Sequence, residues 1–181
     1  MNNTIELEAE LTRMEIMRNE ARREANLRFG VLLADDDQND RFMIRRELEN
    51  SGCLRPVAEV KDGIEVLEYL TGVGLYEDRT LFPLPDLLVI DINMPRMNGL
   101  QVLAWLQRHN FPDLRVVMLS ASLDRANIKT ALELGADYYQ PKTGDRAILS
   151  HLVTRLELLM VLMSRRHPRK ATSKSVLAES G

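Results

Sequence analysis

The chain has 181 residues, 45% of them hydrophobic, which suits one domain with a full core and short appendages. A formal charge of −3 gives no general basis for nucleic acid binding. The lone cysteine, Cys53, excludes an intrachain disulfide and a thiolate zinc cluster and points to a reducing cytoplasm, while the N-terminus lacks the basic start and apolar run of a signal peptide.

The charge is spread unevenly. Residues 1–28 hold six acids and five bases, residues 29–163 hold twenty and fourteen, and residues 164–181 hold one and five. These stretches read as an N-terminal helical extension, a central acidic domain and a basic tail. Residues 5–27 form a charged helical pattern with Leu7, Leu11, Met14, Ala21 and Ala25 on one stripe, which Arg18 interrupts. Such a helix suits a short coiled coil, a docking element or a helix lying on its own domain, and Met14 and Met17 are alternative initiation points.

From Gly30 onward short apolar runs alternate with amphipathic stretches, the pattern of βα units around a parallel sheet. Strands are predicted near 30–35, 57–60, 86–91, 115–119 and 138–141. Helices are predicted near 39–51, 63–72, 97–109, 123–134 and 145–163, with stops at Ser51-Gly52, Gly72 and Gly135. The connection from Val73 to Pro85 exceeds an ordinary αβ loop, and its apolar residues predict that it folds back onto the body. The last helix carries Ile148, Leu152, Leu156, Leu159 and Met163 on one face for packing against the sheet. No stretch approaches the roughly 18 apolar residues of a membrane span. The basic run Arg165 to Lys170 opens a tail expected to be disordered, a solubilising end rather than a nucleic-acid arm.

Five βα units with a central first strand give an α/β fold, a flavodoxin-like doubly wound sheet of order 2-1-3-4-5, with the N-terminal helix as an addition. The carboxyl ends of the first and third strands then flank one crevice. There Val31-Leu32-Leu33-Ala34 runs into Asp35-Asp36-Asp37, and Leu87-Leu88-Val89-Ile90 runs into Asp91. An ionised carboxylate at the mouth of a core must be paired, hydrogen-bonded or metal-bound to offset its desolvation. Asp35, Asp36 and Asp91, with waters and one backbone carbonyl, suit the octahedral oxygen preference of Mg²⁺, whereas Asp37 is as readily a helix N-cap. The fourth strand runs into Ser120 and the fifth into Lys142, so a hydroxyl and an ammonium join the acids. A carboxylate beside Mg²⁺ can be a ligand only or can attack phosphorus, and phosphoryl transfer needs such donors around the equatorial oxygens.

This set resembles the receiver domain of two-component response regulators. The matching residues are Leu33-Ala34-Asp35-Asp36-Asp37, the turn Asp91-Ile92-Asn93-Met94-Pro95-Arg96-Met97-Asn98-Gly99, Leu119-Ser120-Ala121, and Gly135-Ala136-Asp137-Tyr138-Tyr139-Gln140-Pro141-Lys142, within residues 29–163. The resemblance implies that Asp91 accepts a phosphoryl group from a histidine kinase, that Asp35, Asp36 and Asp91 hold Mg²⁺, and that the Asn93 backbone carbonyl adds a ligand. It also implies that Lys142 contacts the phosphoryl group, Ser120 moves to bond it and Tyr139 follows inward. The fourth helix, fifth strand and fifth helix would then change their affinity for a partner. One departure stands out: the family usually places proline directly after the lysine, commonly with a cis bond, whereas here Pro141 precedes Lys142 and Thr143 follows it. A cis bond to a non-proline residue costs roughly 2.5–4 kcal/mol, so the Lys142-Thr143 loop is expected to differ locally.

The function expected is a stand-alone, cytoplasmic receiver with no output domain after residue 163. It would pass its signal to a downstream protein or a histidine phosphotransfer partner, with homodimer formation left open and no DNA or membrane binding expected. It is not expected to be an enzyme. The enzyme alternative is a small Mg²⁺-dependent phosphohydrolase with Asp91 as nucleophile. Asn93 stands where such enzymes often need an acid/base carboxylate. A flavin- or nucleotide-binding module is disfavoured because acids occupy the first βα turn, where a glycine-rich phosphate cradle belongs.

Overall fold

The structure is a computed structural model that describes residues 28–121 and 124–166. The predicted N-terminal helix and the tail beyond Arg166 lie outside the described residues. Among the described residues ten regular elements alternate in the order β1 (Phe29–Ala34), α1 (Gln38–Glu49), β2 (Leu54–Val60), α2 (Gly63–Thr71), β3 (Leu87–Asp91), α3 (Gly99–Leu106), β4 (Arg115–Ser120), α4 (Arg125–Glu133), β5 (Tyr138–Pro141) and α5 (Arg146–Arg166), with a 3-10 turn at Gly74–Tyr76. All strand pairs are parallel and the order is β2-β1-β3-β4-β5, as the sequence predicts.

The continuous apolar strands follow from burial on both faces. Val31, Leu33, Leu87, Val89, Val117 and Leu119 point to the layer that holds α1 and α5. Leu32, Ala34, Leu88, Ile90, Val116 and Met118 point to the layer of α2, α3 and α4. Each fully buried Leu or Val contributes about 1.5–3 kcal/mol relative to exposure. A Cβ on Gly30 in β1 would lie 2.9 Å from Val57 Cγ1, so that side chain would have to shift.

Three features depart from the sequence expectation. β2 begins at Leu54 rather than near residue 57, because Pro56 sits on an edge strand beside a register shift between Val31 and Leu32, where its missing N–H costs no regular ladder bond. The buried face of α5 is Leu149, Leu152, Val153, Leu156, Met160 and Val161, rotated from the predicted stripe, and Ile148 is exposed. The shift arises because α5 packs against α1 as well as the sheet, and Glu157 lies within the buried face with its carboxylate accepting from Gly52 N at 2.6 Å. By length and composition Arg146–Ser164 could also cross a bilayer, contrary to the sequence reading. In this fold its apolar stripe is core.

The connection after α2 folds back as expected. Tyr76 and Phe82 meet the Tyr69 ring with centroids 5.0 and 6.2 Å away. The Arg79 guanidinium donates to the carbonyls of Tyr69, Leu70 and Phe82 at 2.7, 2.9 and 3.2 Å, tying off the end of α2. Gly72 closes that helix in the left-handed region at φ 70°.

Candidate functional site

Register places the chemistry at one edge of the sheet. Ala34 is paired with Ile90, Asp91 with Leu119, and Ser120 with Pro141, so the residues at or just beyond these strand ends, Asp35, Asp91, Ser120 and Lys142, come to one rim. Asp35, Asp91 and Ser120 are buried, whereas Asp36 is exposed. Asp35, Asp36 and Asp91 each present a carboxylate oxygen within 4.8 Å of the others, a spacing a single divalent cation can bridge.

Lys142 enters the same space. Its Nζ lies 2.8 Å from Asp35 Oδ2, 3.0 Å from Asp40 Oδ2 and 3.3 Å from Asp91 Oδ1. Asp35 Oδ2 and Asp91 Oδ1 are buried oxygens that meet the ammonium as an ion pair but accept no well-aligned hydrogen bond. The other oxygens are bound to backbone: Asp35 Oδ1 accepts from Asp37 N at 3.0 Å, and Asp91 Oδ2 accepts from Asn93 N at 3.1 Å. Buried carboxylate oxygens with spare lone pairs are suitable cation ligands.

The charges perturb one another. Burial pushes the Asp35 and Asp91 carboxyls up from their usual range, and the Lys142 ammonium opposes the shift in both. Burial alone would lower the Lys142 pKa, but its carboxylate partners, Asp35 first, outweigh that and raise it. The lysine is therefore a fixed cation facing two acids that are costly to ionise.

The turn after Asp91 is closed by backbone contacts. Ile92 N donates to Leu119 O, Gly99 N donates to Ile92 O, and Asn98 caps α3 in a reciprocal box with Gln101. A Cβ on Gly99 would fall 2.3 Å from the Asp91 carbonyl oxygen, so only glycine allows this close approach. Arg96 adopts a left-handed φ of 61°, and its guanidinium pairs with Asp62, the N-cap of α2, and lies 3.6 Å from Glu65. The turn is thereby tied to α2, a contact that the sequence reading missed.

Tyr139 is half-buried against the α2, α3 and α4 layer, and Ser120 is fully buried. Asp37 accepts from Asn39 N and Asp40 N at 2.7 and 3.2 Å, and these bonds hold its carboxyl below the usual range. It is thus the N-cap of α1. Every peptide bond among the described residues is trans, including Lys142-Thr143, and Thr143 Oγ1 accepts from Asp145 N to turn the chain toward α5. Asp40 was missed by the sequence reading. Its signal, an acid in the first turn of a capped helix, is common in helices that bind no lysine.

The chain is similar to known proteins. The model of the response regulator receiver domain matches residues 31–154. The response regulator MprA of Mycobacterium ulcerans is 35% identical over 130 residues, covering 72% of this chain and 49% of MprA. The chain therefore spans about half the length of that relative. The response regulator Rcp1 of Synechocystis sp. is 28% identical over 130 residues, covering 70% of this chain and 85% of Rcp1. Among solved structures, the phosphorylated cyanobacterial phytochrome response regulator RcpA superposes with a TM-score of 0.66 at 28% identity, covering 75% of this chain and 96% of RcpA. The Mn²⁺-bound form of Rcp1 gives a TM-score of 0.61 at 27% identity, covering 71% of this chain and 91% of Rcp1.

Proposed function

The chain belongs to the response regulator receiver family, and on that premise we propose that Asp91 accepts a phosphoryl group from the phosphohistidine of a histidine kinase. An Asp91 carboxylate oxygen attacks phosphorus, the P–N bond breaks as the P–O bond forms, and the kinase imidazole leaves with the electron pair and takes up a proton. The observation that carries this reading is Asp91 Oδ1, a buried oxygen that accepts no well-aligned hydrogen bond and lies 3.3 Å from the Lys142 ammonium. A nucleophile needs that free lone pair, and the adjacent cation offsets charge on the transferred group.

Asp35, Asp36, Asp91 and the Asn93 backbone carbonyl would hold Mg²⁺, which supplies further neutralisation of the phosphoryl oxygens when bound. The clustered carboxylates and the Mn²⁺-bound form of the relative Rcp1 support that assignment. Lys142 would bind a phosphoryl oxygen, Ser120 would turn its hydroxyl to another, and Tyr139 would move inward behind it. The face formed by α4, β5 and α5 would then change its affinity for a downstream protein, or the phosphoryl group would pass on to a histidine phosphotransfer partner. The setting we propose is the cytoplasm, where the buried thiol of Cys53 stays reduced. Asn93 at the position two beyond Asp91 favours a switch over the phosphohydrolase alternative, because no carboxylate stands there to activate water.

The test is incubation of the full chain with acetyl phosphate and Mg²⁺, followed by intact mass measurement. Wild type should gain one base-labile phosphoryl group and Asp91→Ala none. An unmodified wild type, with acetyl phosphate and with a panel of phosphorylated kinases, would refute the reading.

A further inference from the structure

Lys142 is shared by three carboxylates, and one of them has no part in the function proposed above. Asp40 lies in the first turn of α1, and its backbone N–H is held by the Asp37 cap at 3.2 Å. Its Oδ2 sits 3.0 Å from Lys142 Nζ, closer than Asp91 Oδ1 at 3.3 Å. The Asp40 side chain is 41% exposed and that of Lys142 15%, so the contact is at the rim of the site.

An ammonium has three donors on one small centre and moves on a flexible stem. Here those donors face Asp35, Asp40 and Asp91 at once. Asp40 is anchored on α1 and Asp91 at the end of β3, so the ammonium is divided between carboxylates on separate elements. We propose that Asp40 is a positioning residue, a competing anchor that holds Lys142 toward α1 and so limits the rate at which Asp91 gains a phosphoryl group. The inference rests on the receiver reading, since it assigns Lys142 to the transferred group. It adds a residue that acts through the lysine and touches neither the acceptor nor the donor.

The test compares the full chain as wild type, Asp40→Asn, Asp40→Glu and Glu49→Gln. The last variant removes an exposed acid of the same sign at the other end of α1, where it pairs with Arg45 at 3.7 Å. Phosphorylation by acetyl phosphate in saturating Mg²⁺ is followed by intact mass, with a urea midpoint for each variant to show that it is folded. Asp40→Asn should be phosphorylated about two- to fivefold faster, the scale of one partly exposed ion pair. Asp40→Glu should return toward wild type, and Glu49→Gln should change little. In Mg²⁺-free buffer the Lys142 side-chain NMR resonances should shift in Asp40→Asn and not in Glu49→Gln, a readout independent of phosphoryl transfer. If wild type is phosphorylated but Asp40→Asn is no faster, or if Glu49→Gln matches it, the role assigned to Asp40 is wrong. If wild type is not phosphorylated by any donor, the receiver reading itself fails.

Discussion

Asp91→Asn should make the metal-free protein more stable, because the site is built at the expense of the fold. Asp35 and Asp91 are 0% and 3% exposed, their carboxylate oxygens lie within 4.8 Å of one another, and they share one lysine. Burial raises both carboxyls from the ordinary 3.8. An acid with a raised native pKa binds more protons folded than unfolded between 3.8 and that native value, so stability falls as pH climbs through this window and the cost is complete above it. Lys142 acts the other way: its raised pKa contributes stability that is fully present below 10.5 and is lost only as pH rises through the native value. The substitution removes one buried charge, while Lys142 keeps Asp35 and Asp40 and the amide oxygen can still accept from Asn93 N. Relief of a functional strain of this kind is worth about 0.5–2 kcal/mol, or a Tm rise of about 2–6 °C for a domain of this size. Thermal melts in EDTA at pH 7 test it, and Mg²⁺ should narrow the gap by stabilising wild type more. The advantage should shrink as pH falls through the raised range in which the wild-type carboxyls protonate. A variant that melts at or below wild type at pH 7 without metal would refute the argument.

Other perturbations probe the scaffold around the site. Gly99→Ala would press a Cβ to 2.3 Å from the Asp91 carbonyl, so a loss of about 1–3 kcal/mol in urea unfolding and slower phosphorylation are expected. Gly144→Ala, with nothing within 4 Å of the added atom, should stay near wild type in the same assay. Arg79→Ala strips a donor from the carbonyls of Tyr69, Leu70 and Phe82 and should cost about 1–3 kcal/mol, with faster hydrogen exchange confined to residues 69–85. Tyr69 is pushed up to about 12 by burial, so the unfolded chain loses this proton first and stability should fall between pH 10 and 12. In Tyr69→Phe that slope should flatten, at a cost of about 1 kcal/mol for the lost bond to Pro83 O; an unchanged slope would place the titration elsewhere.

The architecture and the candidate chemistry could be read from the chain alone, because both are written in local patterns. Apolar runs such as Val31 to Ala34 and Leu87 to Ile90 are buried on both faces of any parallel sheet, and the polar residue that ends each run has to emerge at the carboxyl rim. Asp35, Asp91, Ser120 and Lys142 were legible for that reason. The N-cap reading of Asp37 was legible because the cap depends on residues 37–40 alone. What depended on distant partners was not. The face that α5 buries was set by packing on α1 and the sheet together, which moved it off the stripe that periodicity predicted. The Pro56 strand start needed an edge position, and the Arg96 to Asp62 tie joins residues 34 apart. Only the tertiary structure brought Asp40 to Lys142 across 102 positions of chain, because an ion pair between side chains on separate elements follows from how the elements dock and leaves no mark in the local sequence of either.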